Sequence, residues 1–209
     1  MVTEKQNITP AKEEVESNYI NYLERIAFYK STGFDQEEAR LNIVSHIKDN
    51  NRIILEIGTG KGYLTTFLAN TCLHVVSVDI NEDDQRIAML NAAHAGVQNQ
   101  ISFLIADAEQ LDFADHSFDA VVSAYTFHHL TNPFVVIGEM MRLAKNQLII
   151  SDFNENGLEI INKAHDMEGR KHDHKHNNFE IVGVYLKEHG FDVHMFEDNW
   201  QKIYIAERR

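Results

Sequence analysis

A chain of 209 residues with 44% hydrophobic content can bury one sizeable core without splitting, while a formal net charge of −13 and scattered Lys and Arg oppose binding to a phosphate backbone. The single cysteine, Cys72, excludes an intramolecular disulfide, and no hydrophobic run reaches the length of a membrane span. The polar stretch 1–12 lacks a signal-peptide core, so the expectation is one cytoplasmic domain, 1–209, that acts on something other than nucleic acid.

In chain order, Tyr19, Tyr22, Leu23, Ile26 and Ala27 recur at helical spacing, and Ser31, Thr32 and Gly33 break the pattern. Asp35 with Glu38 has the form of a capping box opening a second helix, whose Ala39, Ile43 and Ile47 would face inward. These elements make residues 1–50 an N-terminal helical cover. Through 51–155, short β-branched runs alternate with helical stretches, which predicts a parallel sheet with strands at 53–57, 73–79, 101–106, 118–124 and 148–152 and helices between them. The remainder, 156–209, holds a His-rich loop, a helix over 179–189, and strands at 191–196 and 201–206 that form a hairpin around Asp198 and Asn199.

The most informative run is Ile53 to Gly62, where an apolar strand ends in Glu56 and Ile57 and then in Gly58, Gly60 and Gly62 at alternate positions. Glycines at such a turn permit positive φ and leave no Cβ between the backbone and a small ligand, and the next helix begins with free N–H donors. A dinucleotide fingerprint G-x-G-x-x-G requires glycine at position 63, which is Tyr63. The E-x-G-x-G-x-G pattern instead resembles motif I of the class I S-adenosylmethionine (SAM) dependent methyltransferases. Later motifs extend the likeness. The second strand ends in Asp79, the third runs Phe103, Leu104, Ile105, Ala106 into Asp107 and Ala108, and the fourth, Ser117 to Ser123, matches the family's "fD-vv-s" signature. The sequence Phe127, His128, His129, Leu130 resembles the "HHL" of the ubiquinone and menaquinone C-methyltransferase group.

The resemblance covers residues 50 to 155 and implies an α/β, Rossmann-like class I methyltransferase fold: a seven-stranded mixed sheet flanked by helices, preceded by a helical segment. It implies SAM as methyl donor, S-adenosylhomocysteine (SAH) as product, and a small-molecule acceptor. Carried over by position, Glu56, Gly58 and Gly60 would contact the methionine moiety, Asp79 the ribose, Asp107 and Ala108 the adenine, and the Ala124 carbonyl the ammonium group. Gly62 would allow close helix packing, and Asp119, at the start of its strand, is read as structural.

Methyl transfer from a sulfonium needs little apparatus beyond orientation, and a base only where the acceptor must lose a proton. His128, just past the fourth strand, is the candidate base, with loop hydrogen bonding or edge packing as the alternative role for His128 and His129. Tyr19, Tyr22, Tyr125, Asp152 and Asn154 are candidates for the acceptor pocket, although aromatics in the N-terminal helices are more often core than substrate contacts. His172, His174 and His176, preceded by His165 and Asp166, would share one side of an extended segment and could ligate a metal; the flanking Lys171 and Lys175 favour a solvated polar loop instead. Three function classes therefore stand: a small-molecule methyltransferase, a noncatalytic SAM, SAH or metal-binding module on the same fold, and an NAD oxidoreductase, which Tyr63 and Asp107 disfavour. The residues name neither the acceptor atom nor the oligomeric state.

Overall fold

The structure is a computed structural model that describes residues 3–4, 10–48, 52–169 and 177–209. The chain enters through helices α1 (Lys12–Thr32) and α2 (Gln36–Val44). The Asp35 side chain caps α2 by accepting from the Glu37 and Glu38 N–H groups at 3.2 Å each, as the sequence pattern requires.

Seven strands build the expected mixed sheet, with a two-residue strand β1 (Thr3–Glu4) added antiparallel at one edge. Strands β2 (Ile53–Ile57), β3 (His74–Asp79), β4 (Ile101–Ile105), β5 (Phe118–Ala124) and β6 (Ala144–Phe153) pair in parallel. The terminal hairpin of β7 (Phe191–Glu197) and β8 (Gln201–Arg208) adds antiparallel through β8 against β6. Helices α3 (Tyr63–Ala69) and α4 (Glu82–His94) follow β2 and β3, α5 (Pro133–Leu143) precedes β6, and α6 (Glu155–Met167) and α7 (Val182–Glu188) follow it. The sheet order β1-β4-β3-β2-β5-β6-β8-β7 means that the chain travels outward from β2 in one direction and then resumes at β5 on the other side. The carboxyl ends of β2 and β5 therefore frame the crevice where open α/β sheets bind ligands.

Alternation along the strands supplies both faces of the core. Ile54 joins Leu64, Leu68, Val75 and Ala88 beneath α3 and α4, whereas its neighbour Leu55 joins Val121, Met140 and Leu186 beneath α5 and α7. Fully burying each such side chain is worth about 1.5–3 kcal/mol. A third cluster, Tyr29, Phe34, Ala39, Ile161, Ala164 and Trp200, ties α1 and α2 to α6.

Two expectations need correction. No helix lies between β4 and β5. There the Arg142 guanidinium of α5 takes the place of helical hydrogen bonding, donating to the carbonyls of Phe113 at 2.7 Å and Leu111 at 3.0 Å and to Asp115 at 2.8 Å. His165 and Asp166 sit on α6, not in an extended loop, because Asn154 caps that helix through the Gly157 N–H at 2.8 Å. The helical spacing at Tyr19 to Ala27 is realised in α1, where Leu23 is 47% exposed and the buried anchor is Tyr29, among the rings of the third cluster. By contrast, Asp119 is structural as read: its carboxylate accepts from the Arg52 and Ile53 N–H groups at 2.9 and 3.0 Å, tying down the start of β2.

Candidate functional site

The turn after β2 is held from below by β3. The Gly58 and Thr59 N–H groups both donate to the Val78 carbonyl, at 2.8 and 3.1 Å, and the Gly60 N–H donates to the Asp79 carboxylate at 2.6 Å. Asp79 also accepts from the Asn81 N–H at 2.8 Å. An ionised carboxylate has about four lone-pair sites, so these two bonds leave capacity for a ligand. The three glycines have separate reasons. A Cβ on Gly62 would lie 2.5 Å from the Ala88 Cβ, which makes it the close-packing contact to α4, and one on Gly58 would collide with Thr126. Gly60 has φ +50 and nothing within 4 Å of the place a Cβ would take, so its bare backbone faces open space.

That space is a cleft of about 630 Å³ across the ends of β2 to β5. It gathers all seven residues read as donor contacts: Glu56, Gly58, Gly60, Asp79, Asp107, Ala108 and Ala124. The Asp107 carboxylate accepts from the Glu109 N–H at 2.9 Å, and the Ala124 carbonyl accepts from the Thr126 hydroxyl at 3.1 Å. The lining is rich in acids, with Asp84 and Glu109 beside Glu56, Asp79 and Asp107, five carboxyl groups against the two cations Arg40 and Lys61. Its character therefore favours a cationic ligand.

Glu56 forms the buried floor, 1% exposed, and accepts from the Thr65 and Ser77 hydroxyls at 2.5 and 2.6 Å. Burial pushes its carboxyl up from 4.5 to about 7, against the pull of the Ser77 and Thr65 hydrogen bonds. The unfolded chain would ionise this group near 4.5, so its contribution to stability is complete below that pH and is lost as pH rises through about 7. A cation bound beside it draws the proton off. Affinity for a cationic ligand should therefore climb from about pH 6 to about pH 8, and calorimetry in two buffers of different ionisation enthalpy should register proton release that Glu56→Gln abolishes. Proton uptake, or no change on substitution, would contradict this.

A second cavity of about 430 Å³ adjoins the cleft and shares Arg40, Gly60, Lys61, Tyr63, Tyr125 and His129 with it. Its inner wall carries His128, 7% exposed, whose Nδ1 lies 2.7 Å from one Asp152 oxygen while its backbone N–H donates to the other at 2.9 Å. Tyr125 lines both cavities with φ 55, a left-handed conformation uncommon for such a residue. Its hydroxyl donates to Gln201 Oε1 at 2.7 Å, and burial raises its pKa above the ordinary tyrosine range.

The structure does not bring Tyr19 to this site; its ring stacks on His94 of α4 with centroids 3.5 Å apart. Tyr22 lies beside Tyr63, centroids 5.1 Å apart, and lines a separate hollow. Asp152 reaches the site through His128, and Asn154 is committed to capping α6. His172, His174 and His176 lie outside the described residues; among those described, no group of three or more His, Cys, Asp or Glu is arranged to hold a metal ion. The polar residue that sequence reasoning missed is Arg40, buried on α2 between Ala39 and Ile43, the two positions read as inward. Its Nη1 donates to the Gln36 carbonyl at 2.7 Å and Gln36 Oε1 at 3.1 Å, and its guanidinium sits 5.0 Å from the Tyr63 ring centre.

Comparisons with known proteins agree with this geometry. A family model described as a methyltransferase domain matches residues 55–151. The ubiquinone/menaquinone biosynthesis C-methyltransferase UbiE of Pseudomonas paraeruginosa is 31% identical over 128 residues, 59% of this chain and 50% of that protein. The chain thus spans about half the length of the curated relatives it matches. Among solved structures, magnesium protoporphyrin IX methyltransferase (ChlM) from Synechocystis PCC 6803 with bound SAH superposes with a TM-score of 0.63 at 17% identity, covering 98% of this chain and 90% of that one. The [4+2]-cyclase SpnF superposes with a TM-score of 0.65 at 14% identity, covering 82% and 80%. These likenesses show a shared fold. The glycine turn and the acids at the ends of β3 and β4 fall within the matched segment, and residues 55–151 are thus similar to a methyltransferase domain.

Proposed function

We propose that the protein transfers a methyl group from SAM to a small-molecule acceptor and releases SAH, working as one cytoplasmic domain without a nucleic-acid partner. The observation that carries this reading is the cleft itself, which collects the glycine turn and the acids of three strand ends over the switch point of the sheet. When bound, SAM supplies an activated methyl carbon, whose bond to sulfur breaks with the electron pair remaining on sulfur. The chain supplies position. Asp79 takes the ribose hydroxyls, Asp107 and the Ala108 N–H take the adenine edge, and the Ala124 carbonyl with Glu56 takes the ammonium end. Holding acceptor and donor in a near-attack arrangement can contribute about 7–11 kcal/mol. His128, oriented by Asp152, accepts a proton from the acceptor where one must leave.

The acid-lined cleft fits a sulfonium ligand, and the absence of a Cβ at Gly60 leaves the turn open to it. Among the described residues no helix is long and apolar enough to cross a membrane. A noncatalytic ligand-binding role is the second reading, favoured by a donor cleft whose glycine turn and acids would hold the nucleoside without any acceptor. Incubation with methyl-labelled SAM and a metabolite extract separates the two. Label appearing in a small molecule supports the transferase. Tight SAH binding with no labelled product across extracts would favour the binding module.

A further inference from the structure

The two adjoining cavities have opposite electrical character. The donor cleft carries five carboxylates against Arg40 and Lys61, yet among the described residues no Asp or Glu lines the second cavity, in a chain with 32 acids against 19 Lys and Arg. That second cavity is instead lined by Arg25, Arg40 and Lys61, by three imidazoles, and by five Tyr and Phe rings. Arg40 has the most donor capacity left for a ligand. It is 9% exposed, no carboxylate among the described residues comes within ion-pair distance, and Gln36 engages only its Nη1. Arg25 has less to offer a ligand, since it donates to the Tyr29 hydroxyl at 3.1 Å and stands 4.0 Å from Glu168.

A buried guanidinium without a counter-ion is costly to keep, because desolvation opposes the charge; burial lowers the Arg40 pKa for that reason. An anionic ligand would remove this cost, and a planar guanidinium offers a carboxylate two parallel donors. Flat ring walls, including Tyr63 and Tyr125, favour a flat partner.

Building on the methyltransferase reading, we infer that the acceptor is a planar aromatic acid whose carboxylate is held by Arg40 in the second cavity, with its ring against Tyr63 and Tyr125. The site then separates charge: the cationic donor lies among acids, and the anionic acceptor lies among bases.

The test is calorimetry on SAH-loaded protein with benzoate, the hydroxybenzoates and 2-naphthoate, each compared with its neutral amide. At least one acid should bind tenfold or more tighter than its amide, and Arg40→Met should erase that preference while Arg40→Lys retains part of it. The wild-type comparison stands even if Arg40→Met fails to fold. Equal binding of acids and amides, or no binding of any acid, overturns the inference. So does an Arg40→Met protein that loses SAH affinity but keeps the acid preference, because the guanidinium would then serve the donor's own carboxylate. Failure of the wild-type protein to bind SAH at all would instead sink the methyltransferase reading on which this rests.

Discussion

Replacing His128 by alanine is expected to lower methyl transfer by about 100- to 10,000-fold, the usual worth of a positioned general base, while SAH affinity stays unchanged. The expectation comes from geometry: with Nδ1 2.7 Å from Asp152, proton uptake falls to Nε2, on a ring that borders the second cavity. In the proposed mechanism Asp152 acts as a positioning residue, because its two oxygens hold both the His128 ring and the His128 backbone. Asp152→Asn should therefore reduce turnover less than His128→Ala does and alter its pH profile. Steady-state rates across pH with SAH calorimetry as control decide the matter. Turnover of His128→Ala equal to wild type at every pH would remove the base and leave His128 a packing residue.

Adding one methyl group at Gly62 and at Gly60 is expected to have opposite consequences, although both replacements read Gly→Ala. At Gly62, φ is +72 and the new Cβ would lie 2.5 Å from the Ala88 Cβ and 2.8 Å from its Cα. Left-handed strain and overpacking together should cost about 2–4 kcal/mol, enough to lower Tm by about 5–15 °C in a chain of this size. At Gly60 the Cβ meets nothing within 4 Å, so the cost to the fold is confined to the backbone, about 1 kcal/mol. That Cβ does enter the donor cleft, and SAH affinity should drop by about tenfold or more, equivalent to about 1.4 kcal/mol. Thermal unfolding and SAH titration of the two variants check the pair. A Gly62→Ala protein as stable as wild type would contradict the packing role, and undiminished SAH affinity in Gly60→Ala would contradict the role of the bare turn.

The cleft that gathers the proposed donor contacts was legible because each of its parts is local. Gly58, Gly60, Asp79, Asp107 and Ala124 sit at strand ends, and once the strands are placed the topology carries those ends to one rim. The second cavity was not, because its parts meet only through tertiary packing. Arg40 resembles an ordinary charged residue on a short helix until α2 folds its inner face toward Tyr63, and Gln201 gives no hint in sequence that it will receive hydrogen bonds from both Tyr125 and Ser151. Asp152 was read as a pocket residue and is the partner of His128, a pairing across 24 positions that periodicity cannot see. Tyr19 misled for the converse reason. Helical spacing places it on one side of α1, but the neighbour on that side is His94 of α4, not the cleft. The missing helix between β4 and β5 follows the same logic, since the hydrogen bonds that satisfy that stretch come from Arg142, a residue far along the chain.

The central claim is that the rim of the sheet grips an adenosyl sulfonium through a bare-backbone turn and two separate acids. Calorimetric titration of ligand-stripped protein with SAH tests it most directly. One molecule bound per chain, with affinity weakened about tenfold or more in both Asp79→Ala and Asp107→Ala, is the result predicted. No measurable binding of SAH or SAM to the correctly folded wild-type protein would contradict it.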